Sequence, residues 1–167
     1  MKKILFIIII AVIPFKVNAG CDDPIGDGVD YTNCRFSDGQ DLAGSYLPNS
    51  NLSFTSFIQV NFDKSIMMNS ILSFGTFSES SFVRSNLYEA NLQGANFEGS
   101  NFTSSNLIRV NLKGATLIGA NFKNANLIEA DLLSANISNA NFEGANLNKT
   151  IWIDGKICGI NSIGACK

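Results

Sequence analysis

The sequence predicts an all-β fold wound as an elongated solenoid with four short sides to each coil. Three observations carry this. From Gln40 to Asp154 the chain repeats every five residues without a slip. A large apolar residue recurs at one place in each unit, from Leu42, Leu47, Leu52 and Phe57 onward to Trp152, and all 23 of these centres are apolar. Taken every fourth unit, the centres sort by type: Leu42, Phe62, Phe82, Phe102, Phe122 and Phe142 form one column, and Leu47, Met67, Leu87, Leu107, Leu127 and Leu147 the next.

A period of five fits neither the 3.6 of a helix nor the 2 of a plain strand. Inside one unit, alternation holds. Two residues before the centre, 22 of 23 positions are Ala, Ser, Thr, Val or Gly, and between the two lies Asn at 13 positions and Asp at Asp41 and Asp131. Small inside, polar outside and large inside make a three-residue extended side. The next two residues form the corner. Gly44, Gly94, Gly99, Gly114, Gly119 and Gly144 sit at the second of them, where a turn accepts a residue without a side chain.

The third column is Leu52, Leu72, Leu92, Leu112, Leu132 and Trp152, and the fourth Phe57, Phe77, Phe97, Leu117 and Ile137. Phenylalanine thus keeps to two of four columns. Residues twenty apart are expected to stack at a strand spacing of ~4.8 Å, with aromatic rings in ladders.

Ahead of the repeat, Met1-Lys2-Lys3, the apolar run Ile4 to Ile13 and the small residues before Gly20 describe a secretory leader, residues 1–19, cut after Ala19. Its run is too short for a bilayer-spanning helix, which needs about 20 residues, so no stable membrane span is expected once it is removed. Removal takes Lys2, Lys3 and Lys16 and leaves nine basic against 14 acidic residues, a net of −5. That balance disfavours nucleic acid as a partner.

An exported chain with Cys21, Cys34, Cys158 and Cys166 is expected to form disulfides. Three pairings are possible. An elongated solenoid keeps its ends apart, which favours Cys21–Cys34 and Cys158–Cys166. Attachment of lipid at Cys21 is an alternative, since Asn18-Ala19-Gly20-Cys21 loosely resembles a lipobox.

The chain has no histidine, so no Ser-His-Asp triad, Cys-His pair or His-ligated metal can be built from it. No phosphate-binding loop or dinucleotide fingerprint occurs. No catalytic residue, cofactor or metal is expected. The informative positions lie on the outer surface. Just past the centres of the second column come Met68, Tyr88, Ile108 and Ile128, an apolar stripe twenty residues apart. Beside it run Glu89, Arg109, Glu129 and Lys149, a ladder of alternating charge. A contiguous exposed apolar column is expected to serve as a contact surface, for another protein or for a second copy.

The stretch ANLQG-ANFEG-SNFTS-SNLIR, residues 90–109, resembles the pentapeptide repeat family, whose motif is A(D/N)LXX. The resemblance implies a right-handed quadrilateral β-helix. The frame itself covers residues 40–154, after an N-terminal cap and irregular first coil at 20–39; Phe36 to Leu42 is six residues, so one is inserted near Gly39, and the whole makes about six coils. The tail, 155–167, resembles the ending of other exported members and implies a disulfide cap folded over the last coil. For function, the leader and the lack of catalytic groups point to a non-catalytic binding or scaffold module of the cell envelope, periplasmic or extracellular. Some family members resemble DNA in shape and charge and inhibit topoisomerases. That alternative requires a cytoplasmic location, a more acidic surface and, in the known type, a C-terminal dimerising helix.

Overall fold

The computed structural model describes residues 21–22 and 24–167, and the expected leader, with its cleavage between Ala19 and Gly20, lies outside the described residues. The chain forms a right-handed quadrilateral β-helix. Parallel bridges join residues twenty apart on all four sides, from Asp41 with Asn61 to Asp131 with Ile151. Each is a single-residue bridge at the middle of a side, and among the described residues no side grows into a strand of ordinary length. Asp30 pairs with Asn51 and Arg35 with Ser56, offsets of 21, so the extra residue lies between Arg35 and Asp41. Seven levels stack on the third side, Asp30 to Ile151, spanning roughly 29 Å at one strand spacing per step. Among the described residues no helix is long and apolar enough to cross a membrane.

Five residues are enough for a side where each backbone N–H finds an acceptor. The unit Asn101 to Ser105 shows how. Asn101 donates down to the Ser80 carbonyl at 2.9 Å; Phe102 and Ser104 donate up to Asn121 and Lys123 at 2.7 and 2.9 Å. Ser105 closes the corner on the Phe102 carbonyl at 3.1 Å. The fifth, the N–H of Thr103, faces no carbonyl and donates instead to Asn101 Oδ1 at 3.1 Å. This is an Asx turn, in which a short side chain takes the place of a backbone acceptor. All 15 Asn and Asp residues at this position from Asp41 to Asn146 accept in the same way.

The amide nitrogen has a second use. Asn106 Nδ2 donates to Asn86 Oδ1 at 3.0 Å, and Asn111 and Asn141 donate likewise to Asn91 and Asn121, one coil down. A carboxylate can do the first task but not the second, and stacked carboxylates repel. That accounts for 13 Asn against two Asp.

The corners differ from the sequence expectation in one respect. From Gly44 to Lys149 every fifth residue is left-handed, with φ between 55° and 70° at 22 positions, of which 16 are not glycine. Glycine is favoured there because, lacking a Cβ, it reaches positive φ at no steric cost; what the sequence did not show is that most of these positions hold other residues in the same conformation. The other residues are held in this conformation by the coil bonds on either side.

Inside, the centres of the middle coils are fully buried. On the first side Phe82, Phe102, Phe122 and Phe142 stack with centroids 4.9–5.0 Å apart and planes within 8°. On the fourth side Phe57, Phe77 and Phe97 stack at 5.7 and 5.1 Å. The ladders adjoin and meet edge-on, as Phe97 meets Phe102 at 5.3 Å and 65°. Offset stacking and edge-to-face contact are the two favoured aromatic geometries, so two adjacent columns use both.

Disulfides join Cys21 to Cys34 and Cys158 to Cys166. The tail turns back and forms antiparallel bridges, Ile157 with Ile151 on the third side and Ile163 with Asn146 on the second. It covers only those two sides. Ile137 and Ala140, inner residues of the other two, therefore remain half-exposed, while Trp152 packs edge-on against Phe142 at 5.3 Å.

Ala115 is buried and Lys113 is exposed on the same corner. Ala115→Leu should cost about 1–3 kcal/mol by overpacking the narrow interior, and Lys113→Ala close to nothing. Thermal denaturation of the two variants checks this; equal midpoints would contradict the inward placement.

Candidate interaction surface

The left-handed residue of each of these corners donates its N–H to the coil above, as Glu89 does to Ile108 and Arg109 to Ile128, so each corner side chain has a fixed direction and a fixed neighbour one level away. On the corner after the second side, Met68, Tyr88, Ile108 and Ile128 occupy successive levels, all partly exposed. Their following residues Glu89, Arg109 and Glu129 are left-handed, with φ of 55–59°, as is Lys149 a level above.

The four charges form one continuous chain. Arg109 Nη1 lies 3.2 Å from Glu89 Oε1 and its Nε 2.9 Å from Glu129 Oε2. Lys149 Nζ lies 3.2 Å from Glu129 Oε1. Arg109 also donates to the Tyr88 hydroxyl at 3.3 Å, which ties the ladder to the apolar stripe. The Tyr88 hydroxyl, and then Arg109, hold the Glu89 carboxyl below the usual carboxylate range. Arg109, and then Lys149, do the same for Glu129. The two carboxylates in turn push the Arg109 guanidinium upward. The ladder is exposed and its formal charges cancel.

The surface is wider than the stripe read from the sequence. Tyr46, Ile71, Phe54 and Phe74 are exposed at 55%, 40%, 55% and 52%. Tyr46 and Ile71 replace the usual Asn at the middle of the second and third sides, and Ile66 does so above Tyr46. Phe54 and Phe74 occupy left-handed positions on the next corner, with rings stacked at 5.4 Å and 15°. The Phe74 ring lies over Gly94, where any Cβ would come within 2.6 Å of it. Along one coil, Ile66, Met68, Ile71 and Phe74 thus make an apolar band that crosses the stripe at Met68. The signal was present in the sequence as apolar residues at frame positions that are otherwise polar.

The disulfide cysteines lie at the two ends of the stack. Among the described residues no group of three or more carboxylates or thiols gathers where a metal ion could be held. The arrangement offers apolar contact, aromatic faces and compensated charge, which are the means of macromolecular binding.

A family model described as pentapeptide repeats matches in eight copies, over residues 41–73, 80–118 and 115–151. Comparison with curated proteins gives no match. Among solved structures, HetL, a pentapeptide repeat protein involved in heterocyst differentiation regulation from the cyanobacterium Nostoc, aligns with a TM-score of 0.50 at 16% identity, covering 78% of this chain and 92% of that one. Full-length QnrB1, a plasmid-mediated fluoroquinolone resistance protein, aligns with a TM-score of 0.45 at 19% identity over 74% and 72% of the two chains. A pentapeptide repeat protein of the Arabidopsis thaliana thylakoid lumen gives 0.25 at 22% identity over 70% and 67%. The likeness to HetL bears on the fold alone.

A carboxyl whose folded pKa is depressed adds stability above its ordinary pKa, and that stability is lost as pH falls through the folded value. The ladder should therefore be intact at neutral pH and dissolve below the ordinary Glu value of 4.5. In an NMR titration Glu129 should titrate below that value, and Arg109→Gln should move its midpoint upward. A midpoint that does not move would show that Arg109 is not its partner in solution.

Proposed function

The chain belongs to the pentapeptide repeat family, and from that membership we propose that it is a non-catalytic protein-binding or scaffold module exported to the cell envelope. The observation that carries the binding role is the exposed apolar stripe Met68, Tyr88, Ile108 and Ile128, joined at Met68 by the band that runs to Phe74. Four stacked apolar residues held by backbone bonds present a surface that needs no reordering before contact, and preorganisation lowers the cost of association. Soluble proteins seldom leave a contiguous apolar patch uncovered without a use for it.

Export is supported by the leader pattern ending at Ala19 and by the two disulfides, which persist in oxidising compartments such as the periplasm or extracellular space. The bond from Cys21 to Cys34 also occupies the sulfur that a lipid anchor would require. The alternating ladder carries no net charge, so this face lacks the run of negative charge that would imitate a nucleic-acid backbone.

Ile108→Lys should leave the fold and melting temperature unchanged and remove the proteins captured by in-cell crosslinking from the envelope fraction. Unchanged crosslinks in a folded Ile108→Lys protein would refute the stripe as the contact surface.

A further inference from the structure

The second corner has a property that its individual residues do not show: its pattern is complementary to its own reverse. Going up the corner, the charges run Glu89, Arg109, Glu129, Lys149. A second copy aligned antiparallel, with its two-fold axis between the levels of Arg109 and Glu129, sets Lys149 against Glu89 and Glu129 against Arg109 throughout. Aligned parallel and level with level, the same ladder sets like charge against like.

The apolar residues follow the same symmetry. The axis brings Ile108 against Ile128 of the other copy, and the Tyr88 hydroxyl towards the Asn148 side chain. The ends match too, because the tail adds one more level at the top of this corner. Bridges place Ile157 above Ile151 on the third side and Ile163 above Asn146 on the second, and Ile160 lies on the turn between them. The antiparallel alignment therefore puts Ile160 opposite Met68, Ile163 opposite Ile66 and Ile157 opposite Ile71. Ile157, Ile160 and Ile163 are exposed at 65%, 84% and 49%, although the cap itself is closed by backbone bonds and by Cys158–Cys166. Their exposure is otherwise unexplained.

We propose that a second copy of this chain docks antiparallel along the second corner, forming an isologous dimer. This deepens the contact-surface reading above and rests on it. An interface of this kind is self-complementary, with every contact made twice across the axis. Because the ladder is neutral, approach carries no local repulsion even though the mature chain has a net of −5. The opposed signs select the antiparallel register, and like charges facing each other penalise the parallel one.

The test uses charge reversal and the mass of the mature, oxidised chain by sedimentation equilibrium from micromolar to millimolar. The wild type should show a concentration-dependent dimer. Arg109→Glu alone sets carboxylate against carboxylate at the two levels beside the axis, and Glu129→Arg alone sets guanidinium against guanidinium there, so each should weaken the dimer at least tenfold. An equimolar mixture of the two single variants should dimerise again, since every level then meets its opposite. Circular dichroism establishes that each variant is folded, and Ile160→Glu provides a second variant outside the ladder that should also weaken the dimer. A wild type that stays monomeric, or a dimer indifferent to all three substitutions, overturns the proposal. If the wild type is monomeric while Ile108→Lys still loses its envelope crosslinks, the second copy is refuted and the contact surface stands.

Discussion

The fold depends on making a right-angled corner every five residues. Such a corner demands a left-handed residue, which in a residue other than glycine costs on the order of 1 kcal/mol. It also turns one N–H, that of the residue after the centre, away from both neighbouring coils. Asn two residues earlier supplies the missing acceptor, as at Asn101 and Thr103. The remaining four N–H groups bond within the corner or to adjacent coils. A left-handed Glu89 or Phe74 is tolerated because bonds on both sides of it already fix the path of the chain.

Once the backbone is settled in this way, stability becomes close to a sum over coils and their interfaces. The inner positions have little freedom. A small residue must sit where two sides approach, as Ala115 does, and a large one must fill the middle, as Leu112 does. The outer positions are free by comparison, because their side chains touch mainly solvent and the residue one level away. A rigid four-sided prism with rows at one strand spacing is thus a frame on which charge and apolar surface can be placed level by level. The alternation of Glu89, Arg109, Glu129 and Lys149 uses that freedom, and so does the apolar run from Ile66 to Phe74.

The division between fixed inside and free outside also explains how much was legible in the sequence. The five-residue frame, the twenty-residue coil, the phenylalanine columns and the stripe at Met68 follow from periodicity, since each is a rule applied many times. The second task of Asn was not legible, because Asn106 donating to Asn86 depends on the distance between coils. Nor was the left-handed backbone at Phe54 and Phe74, because glycine at the equivalent Gly94 suggests the space it leaves before the angle it permits. The half-covered C-terminal end escaped for a different reason. The tail obeys no repeat, so that it lies over the second and third sides and leaves Ile137 half-exposed is visible only in three dimensions.

Residue-resolved amide hydrogen exchange tests whether the Asn and Asp side chains close the corners. Where the middle of a side is Asn or Asp, the residue after the centre has its N–H bonded, as at Tyr88, Gln93, Thr103 and Lys113. Where it is not, among the described residues no bond reaches the N–H of Ile58, Met68, Ser73, Ser78 or Ile118. Slow exchange in the first group and fast exchange in the second, at equivalent corners, is the predicted result. Equal exchange in the two groups would mean that the Asn side chains do not close the corner.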